Sequence, residues 1–91
     1  MKPLVSLVTP VYNAMPYFKE YLECVMSQNW RPLEFIIVDD GSTDNSWEYL
    51  QKSIPALQEK KIYVKVLRRM HEGQSAAVNA ALPLITGEYF T

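Results

Sequence analysis

Short apolar runs and segments of helical apolar spacing alternate along the chain. The first run, residues 4–8, is rich in β-branched side chains and stops ahead of Pro10, which lacks the amide donor that a sheet needs. Residues 35–38 and 62–67 form two further runs, and the second of these alternates enough to predict incomplete burial. Residues 88–91 have the pattern of an opening fourth strand. The chain is therefore predicted to contain four strands.

Three segments between these strands have the apolar spacing of amphipathic helices. The first spans residues 16–28, and the second carries its apolar side chains within residues 47–57. Because proline disrupts helical hydrogen bonding, Pro55 is expected to kink or restart the second helix. The third helix is rich in alanine. Ser75 is predicted to cap its start, and Gly87 is predicted to end it.

This alternation predicts an α/β fold of the doubly wound, Rossmann-like type. The sheet is expected to be mainly parallel, with strand order three, two, one, four and helices on both faces, which gives three layers. In such sheets ligands bind beyond the carboxyl ends of the strands, an edge that we call the rim. The polar segments 9–13, 39–42 and 71–75 follow strands one, two and three. These three segments are expected to converge at the rim.

Composition narrows the class of protein. With 91 residues, 48% of them apolar and 21% charged, the chain suits one small globular domain and excludes a disordered or disulfide-scaffold protein. The net charge of −1 provides no basic field for nucleic acid. Cys24 has no partner for an internal disulfide, and no apolar run approaches the roughly 20 residues that span a bilayer. We therefore expect a cytoplasmic domain, with membrane association only through other parts of a longer protein.

The turn after strand one lacks the glycines of the two common phosphate-binding loops. A P-loop ends in Lys and Ser or Thr, and a Rossmann dinucleotide site needs Gly-x-Gly-x-x-Gly, whereas residues 9–13 are Thr-Pro-Val-Tyr-Asn. A dehydrogenase is therefore disfavoured. The stiff turn instead places Tyr12 beside exposed backbone groups, which suits a planar base. The alternative is that Tyr12 is a half-buried packing residue.

The charged residues at the rim allow more than one interpretation. An unpaired carboxylate of Asp39 or Asp40 can accept the imide N–H of uracil or a ribose hydroxyl; alternatively, both aspartates cap the next helix. His71 has no second His or Cys at ligand spacing and is interpreted as an ordinary loop residue. Arg68 and Arg69 are interpreted as a solvated pair.

Four sequence blocks together carry a family resemblance. They are residues 5–13, 35–44, 73–79 and 87–90, and the second contains Val-Asp-Asp-Gly-Ser-Thr-Asp. In their order and spacing they resemble the N-terminal half of family 2 glycosyltransferases, over nearly the whole chain. The resemblance implies a GT-A fold. It also implies transfer of a sugar, with inversion, from a nucleotide-sugar donor, most often a UDP-sugar, to a hydroxyl of a carbohydrate or lipid-linked acceptor.

The same resemblance implies roles for five residues around the donor's base. Pro10 and Val11 would border the base through backbone contacts, and Tyr12 would lie against the uracil. Asp40 would accept the base N–H, whereas Asp39 would mainly shape the turn.

A second group of residues is implied near the donor's ribose and phosphates. Gly73, Gln74 and Ser75 match the family segment that passes there, and the N-terminus of the following helix favours negative charge. Val78 stands where many members of the family have arginine. One donor contact of the family is therefore missing from this chain.

The metal-binding and catalytic residues of the family are expected outside the chain. Its Asp-x-Asp metal motif and its general base follow the Gly-Glu-Tyr-Phe block, whereas the sequence stops at Thr91. We therefore expect Mg²⁺ or Mn²⁺ in the full-length enzyme, but no catalytic residue, metal ligand or bound metal within residues 1–91. The chain is expected to bind nucleotide weakly, to lack turnover and to self-associate. The alternative is a non-catalytic α/β nucleotide-binding or interaction module.

Overall fold

The elements follow the predicted alternation of strands and helices. The computed structural model describes residues 3–90, together with all of their side chains except those of Gln74, Ser75, Tyr89 and Phe90. No helix within these residues is long and apolar enough to cross a membrane. In chain order the elements are β1 (Val5–Val11), α1 (Tyr17–Ser27), β2 (Leu33–Asp39), α2 (Ser46–Glu59), β3 (Ile62–Arg68), α3 (Gln74–Ala81), a 3₁₀ turn (Leu82–Leu84) and β4 (Glu88–Phe90).

The four strands form one sheet in the order β3-β2-β1-β4. All three pairings are parallel, which confirms the predicted topology. The register aligns Val11 with Asp39 and Asp39 with Arg68, so β1, β2 and β3 end side by side. The segments that follow these three strands therefore start from the same edge, the rim.

The helices cover both faces of the sheet, and the predicted three-layer arrangement is confirmed. On one face, Leu22 of α1 and Leu50 of α2 pack with Phe35 and its neighbours in a fully buried cluster. On the other face, Ala77 and Ala81 of α3 pack on the strands through small side chains. Both faces of β2 are thereby buried, whereas β3 at the sheet edge alternates between buried and exposed residues, as expected.

Strand β1 continues through Pro10, so the prediction that it stops at the proline is wrong. The Val5 N–H donates to the Pro32 carbonyl at 3.2 Å, and the Val11 carbonyl accepts the Asp40 N–H at 2.8 Å. Odd-numbered residues of β1 therefore bond to the β2 side, and Pro10 faces the other way. Within the described residues, β4 pairs only with the first half of β1. The missing donor of Pro10 consequently breaks no hydrogen bond between strands.

Three details predicted for the helices differ from the structure. Helix α2 is continuous from Ser46 to Glu59, so the predicted restart at Pro55 does not occur, whereas the alternative of a kink stays a prediction. Leu50 and Leu57, on either side of Pro55, are both fully buried, and their packing outweighs one lost backbone hydrogen bond. Helix α3 begins at Gln74 with Gly73, not Ser75, in the N-cap position. It also ends before Gly87, since the chain passes into the 3₁₀ turn Leu82–Leu84, which contains Pro83.

A buried carboxylate ties the connection before β4 to the sheet. Glu34 accepts hydrogen bonds from the Ser6 hydroxyl at 2.9 Å and from the Thr86 hydroxyl at 2.8 Å, and it pairs with Lys65 at 2.8 Å. Burial alone would raise the pKa of Glu34, but these bonds outweigh it and lower the pKa from 4.5 to about 2. Strand β2 therefore includes a charged residue and begins earlier than its apolar run predicts.

Candidate functional site

A cavity of about 340 Å³ opens at the rim. Its lining residues come from the end of β1, the end of β2 and the loop between β3 and α3. Four of them, Pro10, Val11, Tyr12 and Asp40, are predicted site residues, whereas the fifth, His71, is not. The three polar segments thus converge as the doubly wound topology predicts.

The side chains of Tyr12 and His71 stack on each other inside this cavity. Their ring centroids lie 3.9 Å apart, and the two planes are inclined by 25°. Tyr12 remains 46% exposed, so the interpretation of Tyr12 as a packing residue accounts for only part of its surface. His71 lies in a loop, as interpreted, but its contacts with Tyr12 and Asp40 were not predicted. A histidine that meets a tyrosine from 59 positions away in the chain leaves no signal in local spacing.

Asp40 is only 2% exposed and is not the unpaired carboxylate that was considered. It accepts hydrogen bonds from the backbone N–H groups of Gly73 at 2.9 Å and Glu72 at 3.2 Å, and His71 Nδ1 lies 2.9 Å from Oδ2. Burial tends to raise the pKa of Asp40, but the two backbone bonds and His71 lower it overall. Arg69 adds a longer ion pair at 3.5 Å. The carboxylate is therefore ionised and holds the loop between β3 and α3 at the rim.

Asp39 is the last residue of β2, and its side chain contacts the turn that follows. It is fully buried, accepts a hydrogen bond from the Ser42 hydroxyl at 2.5 Å and pairs with Arg68 at 3.3 Å. The N-cap residue of α2, Asn45, makes no side-chain capping bond, and neither aspartate caps that helix. Arg68 lies over the ring of Trp47, 5.1 Å from its centroid. Both rim arginines thus pair with carboxylates. Arg68 is still 49% exposed, as a solvated residue would be, whereas Arg69 is mostly buried, so the interpretation as a solvated pair is wrong for Arg69 only.

Asn13 links the end of β1 to the loop before α2. Its backbone adopts a positive φ of 49°, which asparagine tolerates better than most residues. Its side-chain oxygen accepts the backbone N–H groups of Thr43 at 2.7 Å and Asp44 at 3.2 Å, and its own N–H donates to the Ser42 hydroxyl at 2.9 Å. The pattern of the sequence predicts no role for Asn13. Asn13 directly follows Tyr12 in the chain, and this position could have indicated a role at the rim.

Gly41 allows the loop of His71 to approach the end of β2. Its φ is +82°, and a Cβ at this position would lie 2.8 Å from the backbone nitrogen of His71. Gly73 also has a positive φ, +103°, but a Cβ there would meet open space. The close approach across Gly41 thus brings His71 to Asp40.

The residues predicted near the ribose and phosphates lie at the start of α3. Gly73 donates its N–H to Asp40 and does not line the rim cavity. Gln74 and Ser75 form the first turn of the helix, and their side chains lie outside the described residues.

No three His, Cys, Asp or Glu side chains in the described part of the chain come close enough to hold a metal ion. Asp39 and Asp40 are each engaged with arginine and with turn or loop groups. These residues therefore do not fit a divalent metal site. That the metal ligands lie outside this chain stays a prediction.

The sequence profile described as glycosyl transferase family 2 matches residues 6–91. The chain belongs to this family. It is 38% identical to the glycosyltransferase GlyG of Streptococcus pneumoniae over 92 residues, which cover 100% of this chain and 29% of GlyG. The chain spans about a quarter to a third of the length of the curated relatives that it matches. Family membership supports a glycosyltransferase over a non-catalytic module.

Two solved glycosyltransferases share the fold. The mannosyltransferase PcManGT from Pyrobaculum calidifontis, in complex with GDP-Man and Mn²⁺, superposes with a TM-score of 0.83 and 27% identity, covering 96% of this chain and 26% of that one. The structure of S. aureus TarS with UDP-GlcNAc gives a TM-score of 0.73 and 29% identity, covering 96% of this chain and 24% of that one. The expected GT-A fold is therefore confirmed.

Proposed function

We propose that the rim cavity binds the base of a nucleotide-sugar donor, a UDP-sugar in the first instance. In this proposal the chain is the donor-binding portion of an inverting glycosyltransferase. The observation that carries it is the convergence of Tyr12 and Asp40 on one cavity. The donors bound by PcManGT and TarS, GDP-Man and UDP-GlcNAc, support a nucleotide-sugar ligand as a class.

The chemistry of the cavity suits a base that carries an imide N–H. A half-exposed tyrosine ring provides a stacking face, and stacking on an aromatic side chain contributes about 1 to 3 kcal/mol per base. The ionised carboxylate of Asp40 is held in place by the N–H groups of Glu72 and Gly73, so it presents a fixed acceptor. A carboxylate has about four acceptor positions. The uracil N3–H can therefore bond to Asp40 while both backbone bonds persist.

The sugar-transfer step needs groups that the described residues do not assemble. In the full-length enzyme we propose a Mg²⁺ or Mn²⁺ ion to offset charge on the leaving diphosphate, and a general base acting on an acceptor hydroxyl of a carbohydrate or lipid-linked substrate. Residues 1–91 would supply donor binding and have no turnover by themselves. The affinity of the chain for UDP is expected to be millimolar at best, because one stack and one charge-assisted bond must offset the cost of association.

The proposal is tested by NMR titration of the chain with UDP. The amides near Tyr12 and Asp40 should shift on addition of UDP, and Tyr12→Ala should weaken binding at least fivefold because the stacking face is lost. Tyr63→Ala is the matched control. Tyr63 is also an exposed tyrosine, but it pairs with Glu34 near the amino end of β3, at the end of the sheet opposite the rim. Shifts confined to the amino ends of the strands, or equal binding by both variants, would contradict the proposal.

A further inference from the structure

His71 makes both contacts that the proposed site offers to a uracil. Its ring stacks on Tyr12 with centroids 3.9 Å apart, and its Nδ1 lies 2.9 Å from Asp40 Oδ2. The imide group of a base would need the same ring face and the same carboxylate oxygens. The protein's own imidazole therefore occupies the position that the base is proposed to take.

The spacing of the two rings leaves no room for a base between them. A planar group sandwiched between two rings needs carbon–carbon contacts of 3.5–4.0 Å on each side, so the rings would have to lie about 7 Å apart. The observed separation is 3.9 Å. The base and His71 cannot both lie against this face of Tyr12 unless the histidine ring moves.

The histidine side chain can leave without opening the loop. It is 53% exposed, so it borders solvent. The backbone around it is held separately, because the Arg69 N–H donates to the Asp39 carbonyl at 2.9 Å and the Glu72 N–H donates to Asp40 at 3.2 Å. Rotation of the imidazole into solvent would expose Tyr12 and free one acceptor position of Asp40 while the loop keeps its place.

We propose that His71 is an internal competitor for the base-binding position and thereby sets the affinity of the site for nucleotide. This inference rests on the proposed function. When the competing form predominates, the apparent dissociation constant equals the intrinsic one divided by the small fraction of protein whose imidazole has moved away. Removal of the imidazole should therefore tighten nucleotide binding. A residue that merely supported the loop, or that contacted the base directly, would have the opposite effect when removed.

The test compares UDP binding by the wild-type chain, His71→Ala and Met70→Ala, measured by NMR titration. Met70 is the neighbouring residue and is 83% exposed, which makes it the matched control. We expect His71→Ala to bind UDP about tenfold more tightly than the wild type, which corresponds to about ten protein molecules in the competing form for each one in the open form. Met70→Ala should bind UDP as the wild type does. In the wild type, the His71 ring signals should move toward those of a solvent-exposed histidine as UDP saturates.

Two other outcomes have distinct meanings. If UDP shifts the amides of Tyr12 and Asp40 but His71→Ala binds equally or more weakly, the competitor role is wrong and the proposed function stands. If neither protein shows UDP-dependent shifts at the rim, both the competitor role and the proposed function are wrong. The amide hydrogens of Glu72 and Gly73 should exchange with solvent as slowly in unliganded His71→Ala as in the wild type, which shows that the loop is intact.

Discussion

The carboxylate of Asp40, at the end of β2, accepts the N–H of Gly73, the residue before α3, at 2.9 Å. Thirty-three positions separate the two residues in the chain. This bond joins two of the three segments that meet at the rim, and the neighbouring Glu72 N–H strengthens the link. The position of the loop between β3 and α3 thus depends on one buried, ionised side chain.

Replacement of Asp40 should release this loop. In Asp40→Ala the N–H groups of Glu72 and Gly73 lose their acceptor, and their amide hydrogens should exchange with solvent at least tenfold faster than in the wild type. Asp40→Asn keeps one acceptor oxygen and should give a smaller effect. Glu59→Ala, at the exposed end of α2, is the control. Unchanged exchange at residues 72 and 73 in Asp40→Ala would show that other contacts hold the loop.

Gly41 should tolerate alanine less well than Gly73 does. Both residues have positive φ, but only at Gly41 does an added Cβ meet backbone, at 2.8 Å from the His71 nitrogen. We expect Gly41→Ala to lower the free energy of unfolding by about 2 kcal/mol or more, from strain and steric clash together. Gly73→Ala should be destabilised only by the strain of a positive φ, since its Cβ would meet open space. Urea denaturation measures the free energy of unfolding of both variants. If Gly41→Ala loses no more stability than Gly73→Ala, the steric clash with the His71 backbone is contradicted.

Glu34 should make stability depend on pH in the acidic range. Its pKa is lowered in the folded protein from 4.5 to about 2, so the folded state favours the ionised form. The stabilisation is present above pH 4.5 and is lost as the pH falls toward 2; its upper limit is about 3 kcal/mol.

Glu34→Gln should therefore flatten the pH dependence of the free energy of unfolding between these values. The exposed Glu48→Gln is the control. Asp40 and Asp44, whose pKa values are also lowered, contribute equally to the wild type and both variants. Parallel pH profiles for Glu34→Gln and the wild type would exclude the role assigned to Glu34.

Divalent metal should have little effect on UDP binding by this chain. No three metal-ligating side chains come together in the described residues, and Asp39 and Asp40 are already paired with arginines. We expect Mg²⁺ or Mn²⁺ to change the UDP dissociation constant less than about twofold relative to EDTA, because complete coordination needs more oxygen ligands than these. A tenfold or larger increase in affinity would place metal ligands within this chain.

The strand order and the rim could be predicted from sequence because both follow from topology. Alternating strand and helix periods lead to parallel pairing, and parallel pairing places Tyr12 and Asp40 at one edge. Other features depend on neighbours distant in the chain. Pro10 is tolerated in β1 because its backbone faces away from β2. Glu34 is tolerated in a buried strand because it accepts a hydrogen bond from Ser6 and pairs with Lys65.

The contact between His71 and Tyr12 could not be predicted because it joins two residues that are distant in the chain. It depends on the close approach of the loop across Gly41, which only the folded chain shows. Asp40 was correctly placed at the rim, but its partners in the loop between β3 and α3 were not foreseen. Self-association of the chain stays a prediction that sedimentation at several concentrations tests.

The most direct test of base recognition at Tyr12 and Asp40 is a comparison of UDP with CDP by titration of the wild-type chain. Uracil presents an N3–H donor to the carboxylate, whereas cytosine presents a lone pair at the same position. Both bases are pyrimidines with a planar face that can stack on Tyr12, so the difference in affinity mainly reports the bond to Asp40. We predict that UDP binds at least tenfold more tightly than CDP. Equal affinities of UDP and CDP would contradict base recognition by Asp40.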